Sequence, residues 1–443
     1  MGDVHDYLFS KVSLNREYAE YEFGIGWLPY ILYHYGELLH HQVDTFHKLI
    51  ADPIEYKVGG LREDQQNDLD ALLRFRRGIF QVFTGYGKTQ IIAHLVNYVV
   101  NIRKERLLLL APGQKALDEI DNRVSRLFGI THKYFDYDSN YNAINVNGFP
   151  RSKKFDRSNP YWNTVDWIIA EEAEYIVADT SKEIMELCGK VTRAYAFSAT
   201  ADKVSGERIR MREGNIPVVQ RNKDLISYFG FASVYRKPER FKIHIKEVVT
   251  TMFDDVTSGS ELGSTYSEMI YAIFTNKRFC EGLHKIVQRE SPIYVPMGRL
   301  EVIDYWVANY FNISDFVVIN ICGRGYELYV GGEHKCNLTL EDVKGYIEDE
   351  RVHLITGTSS SYRALDFPKL NKILPLTSKL ASMVIQAIGR VSRRGEFTII
   401  NLKPVMNVSI YTRDFNNRKR LISNYYSDCE IIIDYIREDE YEV

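Results

Sequence analysis

Short, nearly unbroken apolar runs recur along the first half of the chain: "GIFQVF" (78–83), "RLLLLA" (106–111), "INV" (144–146), "DWIIA" (166–170) and "AYAFSA" (194–199). Amphipathic stretches separate several of them, most clearly "KTQIIAHLVNYVVNIRK" (88–104). Apolar strands alternating with helices predict a parallel sheet covered on both faces. A polar segment, "DKVSGERIRMREGNIPVVQRNKD" (202–224), then breaks the rhythm and reads as a linker. The alternation resumes with "PIYVPM" (292–297), "FVVINI" (316–321), "VHLITG" (352–357), "NKILPL" (371–376) and "FTIINL" (397–402).

The pattern predicts an α/β protein of two tandem domains, 58–205 and 236–410, joined by a linker at 206–235. Residues 1–57 read as a mainly helical, aromatic-rich accessory segment, and 411–443 as a helix with a frayed acidic tail.

Composition changes this picture little. A chain of 443 residues is too long for one core, which agrees with two domains. Apolar content of 45% and charged content of 26% fit a soluble globular protein. No apolar run is long enough to span a bilayer, and "MGDVHDYLFSKV" has neither a signal-peptide layout nor a myristoylation pattern. No membrane association is therefore expected. The five cysteines form no CxxC pair, which argues against a zinc site and suits a reducing cytoplasm. A net charge of −3 does not announce nucleic acid, although a local basic groove would suffice to bind it.

The chemistry begins at "FQVFTGYGKTQ", where Thr84-Gly85-Tyr86-Gly87-Lys88-Thr89 stands between a strand and a helix. That setting reads as a P-loop. Gly85 and Gly87 let the backbone wrap a phosphate, and the first amides of the next helix point at the anion. Lys88 would reach the β/γ-phosphates and the Thr89 hydroxyl would ligate Mg²⁺.

A second element is "WIIAEEAEYI" (167–176), a strand running into Glu171 and Glu172. In a P-loop enzyme such a pair holds Mg²⁺ and polarises the attacking water. Taken alone, it also reads as the acidic start of a solvated helix.

"LREDQ" (61–65), the P-loop, "LLAPGQKAL" (109–117), "IIAEEAE" (168–174), "SAT" (198–200), "TSSSYRALDFP" (358–368) and "QAIGRVSRRG" (386–395) follow one another in that order. The set spans about residues 58–400 and resembles the superfamily 2 helicases; its Q-x-x-G-R-x-x-R element is complete. The leading "LREDQ" and the compact length look most like the phage branch-migration helicases of the UvsW kind, and also like the motor halves of bacterial reannealing and restriction translocases.

The resemblance implies two RecA-like P-loop domains with ATP and Mg²⁺ between them. Gln65 matches the adenine-reading glutamine. Thr84, Gly85, Gly87, Lys88 and Thr89 match the phosphate and metal positions. Glu172 matches the catalytic glutamate, and Glu171 stands where the family has its metal aspartate. Glu174 replaces a coupling histidine or similar polar residue, while Ser198 and Thr200 match the motif linking hydrolysis to movement. Arg390 and Arg393 match arginines that reach the γ-phosphate, with Gln386 beside them. Asp366 matches an acid that senses nucleotide, and Ala364 replaces a frequent glycine nearby. Ala111, Pro112, Gly113 and Thr358 match loops that hold nucleic-acid backbone.

The implied protein is an ATP-dependent DNA helicase or translocase acting on branched, forked or duplex DNA. It would work as a monomer in the cytoplasm, the host's if phage-encoded. An RNA helicase, a duplex translocase without strand separation and an ATP-gated binder with little turnover are the alternatives. The aromatic and basic segment 134–162 fits either base stacking or core packing.

Overall fold

The computed structural model describes residues 13–15, 20–22, 50–57, 59–131, 135–173, 176, 182–199, 225, 228–230, 232–254, 256, 266–297, 300–358, 367, 369–376, 381–391, 395–405 and 409–441. The chain separates into two units, Met1–Arg236 and Lys237–Val443. Among the described residues no helix is long and apolar enough to cross a membrane.

Of the N-terminal segment, β1 (Ser13–Asn15) and β2 (Glu20–Glu22) form an antiparallel pair. The rest of residues 1–49, expected to be mainly helical, lies outside the described residues. In sequence order, α1 (Glu63–Leu73), β3 (Arg77–Val82), α2 (Lys88–Asn97), β4 (Leu107–Ala111), α3 (Gln114–Phe128) and β5 (Tyr141–Asn145) come next. They are followed by β6 (Trp167–Glu171), α4 (Lys182–Leu187), β7 (Arg193–Ser198) and β8 (Ala232–Arg236). The strands make one six-stranded sheet, ordered β5-β4-β6-β7-β3-β8 and parallel throughout.

Side chains along a strand alternate between faces, so the Leu run of β4 serves both sides of this sheet. Leu107 and Leu109 pack with Leu69, Ile91 and Leu95 of α1 and α2. Leu108 and Leu110 pack on the opposite face with Ile184 of α4, Leu225 and Phe229. Covering both faces is what permits β4 to be apolar without interruption.

One boundary differs from the sequence reading. Residues 225–235, expected within the linker, and Arg236, expected to open the second domain, belong to the first unit, with Leu225 and Phe229 fully buried in its core. β8 then pairs with β3 along the sheet edge.

The second unit begins with β9 (Lys242–Thr250), α5 (Tyr266–Phe274), α6 (Lys277–Glu290), β10 (Ile293–Pro296) and α7 (Leu300–Tyr310). An antiparallel meander follows, β11 (Val317–Cys322), β12 (Gly325–Val330) and β13 (Glu333–Leu338). The chain continues through α8 (Leu340–Glu348), β14 (Leu354–Gly357), β15 (Lys372–Ile373), α9 (Ala381–Gly389) and β16 (Glu396–Pro404). It closes with α10 (Ser409–Tyr425) and β17 (Glu430–Arg437).

The nine-stranded sheet is ordered β13-β12-β11-β14-β10-β15-β16-β9-β17. It is parallel except for the β11–β13 meander. The expected frayed tail is instead a full edge strand, β17 pairing with β9 from Glu430 to Arg437. Beyond it, Glu438 accepts hydrogen bonds from the Thr251 amide (2.7 Å) and the Thr250 hydroxyl (3.0 Å), which anchors the acidic end.

Candidate nucleotide site

Because all strands of the six-stranded sheet are parallel, their C-terminal ends share one edge of that sheet. The registers Val82↔Arg236, Gln81↔Ser198, Glu171↔Phe197 and Ala111↔Asn145 line these ends up. Ligands of open α/β sheets bind outside this edge. The phosphate loop, the acidic pair, Ser198 and the Ala111-Pro112-Gly113 loop all lie on it.

The loop leaves β3 at Phe83 and enters α2 at Lys88, with a turn closed by Tyr86 N donating to Phe83 O at 3.2 Å. Gly85 and Gly87 have φ of 95° and 101°, a left-handed conformation that favours glycine. Gly87 is also the N-cap of α2, so no side chain caps the helix's first amides. Lys88 is buried at the first helical position and Thr89 is half-buried at the second. Two left-handed glycines, an uncapped helix start, a lysine and a hydroxyl suit a phosphate with its Mg²⁺.

Gln65 in α1 is bound directly to this loop. Its Nε2 donates to the Tyr86 carbonyl at 2.7 Å, and its Oε1 accepts from the Arg62 amide at 3.0 Å. An amide carries two donors and two acceptor lone pairs, so each bond leaves one of each kind for a base. The Arg62 guanidinium also donates to the Tyr86 carbonyl, at 3.0 Å, and lies 5.3 Å from the centre of its ring. The Tyr86 hydroxyl donates to Asp68 Oδ2 at 2.6 Å, and Arg236 grips the same carboxylate through Nε and Nη2. Burial, reinforced by the hydrogen bond to Asp68, pushes the Tyr86 phenol far above its ordinary range, so it stays protonated and donating.

In the structure β7 sits between β6 and β3. Glu171 is buried at the end of β6, and Glu172, the next residue, has a left-handed φ of 48°. A non-glycine residue in that region costs about 1–2 kcal/mol and bends the chain out of the strand direction. The two carboxylates therefore occupy different environments, one seated in the sheet and one on a turn.

Ala111 ends β4, and the Pro112 carbonyl accepts from Asn147 Nδ2 at 2.5 Å. Gly113 caps α3 in an extended conformation, with open space where a β-carbon would stand. Asn147 went unrecognised in the sequence, as did Asp68 and Arg236.

In the second unit Thr358 follows β14 and donates its amide to Ile321 O at 3.1 Å. Gln386 is buried within α9, and Arg390 lies just past the end of that helix. The Arg390 carbonyl accepts from the amide of Phe367, itself fully buried, at 3.0 Å. Glu174, Thr200, Asp366 and Arg393 lie outside the described residues.

In the segment 134–162, the described residues from 135 onward include an aromatic core. Tyr161 and Trp162 are 3% and 1% exposed, and Phe135, Tyr137, Phe149 and Phe155 pack around them. The Tyr161 and Trp162 rings, buried this way, cannot also stack bases. Arg151, Lys153, Lys154 and Arg157 remain exposed, with Arg157 paired to Glu183.

Residues 59–201 match the family described as "Type III restriction enzyme, res subunit". Comparison with curated proteins returns no match. Among solved structures, Dbp5 of S. cerevisiae bound to RNA and ADP BeF3 superposes with a TM-score of 0.54 at 14% identity, covering 86% of this chain and 90% of that one. A fragment assigned to an HsdR subunit of a type I restriction enzyme from Vibrio vulnificus YJ016 gives 0.52 at 15% identity, over 85% and 68% of the two chains. T4 UvsW covers 99% of this chain and 96% of its own at 14% identity, but its TM-score of 0.36 carries no argument for that branch. These likenesses show the fold, and the family match falls on the unit that holds the P-loop.

Proposed function

We propose that the protein is a nucleic-acid-stimulated ATPase that translocates on DNA and remodels branched or forked substrates in recombination, repair or replication. The observation that carries this reading is the shared edge of the first sheet. The left-handed glycines of the P-loop, the Glu171–Glu172 pair and the open N-terminus of α3 lie along that one line of strand ends. Nucleotide chemistry and a phosphate-backbone contact would thus be built on one rigid scaffold.

ATP with Mg²⁺ would supply the transferable γ-phosphoryl group and neutralise its charge. Gln65 would read the base with its remaining donor and acceptor, and Lys88 would hold the phosphates. Thr89 and Glu171 would hold the metal, with Glu172 orienting the attacking water. Arg390 and Arg393 would complete the transition-state charge from the second domain, with Gln386 and Asp366 nearby. Glu174, Ser198 and Thr200 would couple hydrolysis to movement. Ala111, Pro112, Gly113 and Thr358 would contact the nucleic-acid backbone, mainly through amides and hydroxyls, which suits a slightly acidic chain. It would act as a monomer in the cytoplasm.

Phosphate release should be measured on purified protein with single strands, duplexes, forks and four-way junctions of DNA, and with the matching RNAs. Stimulation greatest on forks or junctions is expected. Dbp5 was solved bound to RNA, which makes RNA the second substrate class to test. Release no greater than that of a Lys88→Ala control would overturn the motor reading and leave a nucleotide-gated binder.

A further inference from the structure

The P-loop needs glycine at 85 and 87, but nothing in wrapping a phosphate needs a tyrosine between them. Tyr86 is nonetheless 3% exposed, its ring packed against Phe80 and Phe83 with centroids 6.0 and 5.5 Å away. Its hydroxyl reaches Asp68 Oδ2 at 2.6 Å. The Asp68 side chain is 6% exposed and is gripped by Arg236, with Nε 2.9 Å from Oδ2 and Nη2 2.7 Å from Oδ1. This two-pronged geometry is specific to arginine.

Arg236 is the last residue of β8, directly opposite Val82, where β3 ends before the loop. It is also the last residue of the first unit, since Lys237 opens the second. An unbroken line of hydrogen bonds thus runs from the phosphate loop through α1 to the point where the chain leaves the unit.

We propose that Tyr86, Asp68 and Arg236 form a latch in which Tyr86 positions the phosphate loop and Arg236 ties that position to the chain's exit toward the second unit. Tyr86 touches no substrate in this role. It fixes the backbone between the two glycines from behind, while Gln65 and Arg62 hold its carbonyl. Releasing Arg236 leaves the Asp68 carboxylate buried and half-satisfied, and the phenol loses a fixed acceptor. Nucleotide affinity would then depend on a residue that belongs to the chain exit. The inference rests on the nucleotide-site reading above and deepens it.

The test measures binding of a fluorescent ATP analogue, and KM and kcat for ATP, on the full chain. The variants are Tyr86→Phe, Arg236→Gln, Arg236→Lys and the Tyr86→Phe/Arg236→Gln pair, with Lys88→Ala alongside. Each of the first two should weaken nucleotide binding and raise KM about 10-fold with kcat nearly unchanged, the scale of one lost hydrogen bond to a charged group. The pair should be no worse than the worse single variant, and Arg236→Lys should fall between wild type and Arg236→Gln.

Wild-type KM in Tyr86→Phe, or losses that simply multiply in the pair, would overturn the latch while Lys88→Ala still abolishes binding. Undiminished binding by Lys88→Ala would instead overturn the nucleotide reading, and the latch with it. If Arg236→Gln does not fold, Tyr86→Phe combined with Arg236→Lys completes the same cycle.

Discussion

A β-carbon added to Gly87 would lie 2.4 Å from Gln65 Nε2, so the second glycine of the phosphate loop and the expected base-reading glutamine occupy adjoining space. Gly87 also holds a φ of 101°. Gly87→Ala therefore meets two penalties, about 1–2 kcal/mol for the left-handed conformation and the displacement of Gln65 from the Tyr86 carbonyl. Thermal unfolding should show a loss of about 2 kcal/mol or more, and affinity for an ATP analogue should fall at least 10-fold. Wild-type affinity in this variant would mean that Gln65 and the loop do not work together.

Glu172 makes the opposite case, because its charge can be removed with little change of side-chain shape. Glu172→Gln keeps the left-handed φ of 48° and the side-chain volume while removing the negative charge. Stability and nucleotide binding should be unchanged, and the steady-state rate of ATP hydrolysis should fall by about 10²–10⁴, the usual worth of a positioned general base. A variant that hydrolyses ATP at the normal rate would move the water-activating role elsewhere.

The parts of this arrangement that could be read from sequence are those with local signals. Doubly buried strands announce themselves as apolar runs, so β3, β4, β6 and β7 were legible, as were the loop glycines. β9 and β17 were not, because "KIHIKEVVT" and "EIIIDYIR" alternate charges with apolar residues or lie on an edge. The meander strand β13 is almost wholly exposed and carries no apolar pattern at all. The link from Asp68 to Arg236 joins residues 168 positions apart, and no local pattern marks such a pair. For residues 134–162 composition allowed two outcomes, and burial assigns the Tyr161 and Trp162 rings to the core.

Acid sensitivity should concentrate at Glu290, at the end of α6. Its carboxylate accepts from Lys246 Nζ (2.5 Å) and Tyr441 OH (3.0 Å), with Lys372 Nζ 3.2 Å away. Burial alone would raise its pKa, but the hydrogen bond and charge of Lys246, with the charge of Lys372, outweigh this and hold it below the ordinary 4.5. A depressed folded pKa contributes stability that is present above the unfolded value and lost as pH falls through the folded one. Glu290→Gln should therefore cost about 1.5–3 kcal/mol near pH 7, and the gap to wild type should close below pH 4.5. Unfolding by urea across that range provides the measurement, and a gap that stays constant with pH would show that the pairs contribute nothing.

Gly113 offers a way to separate nucleic-acid contact from folding. It caps α3 with φ −157° and ψ 152°, an extended conformation open to any residue, and no atom lies within 4 Å of where its β-carbon would stand. Aspartate is among the best N-cap residues, so Gly113→Asp should leave the unit as stable as before or raise stability by a few tenths of a kcal/mol. The same carboxylate would occupy the helix N-terminus where a backbone phosphate is expected, replacing attraction with repulsion. Basal ATP hydrolysis should be unchanged, while the DNA or RNA concentration giving half-maximal stimulation rises several-fold. Nucleic-acid affinity should also become less dependent on salt, by about one unit in the slope of log affinity against log salt. Normal stimulation in a variant that is at least as stable as wild type would remove Ala111-Pro112-Gly113 from the nucleic-acid path.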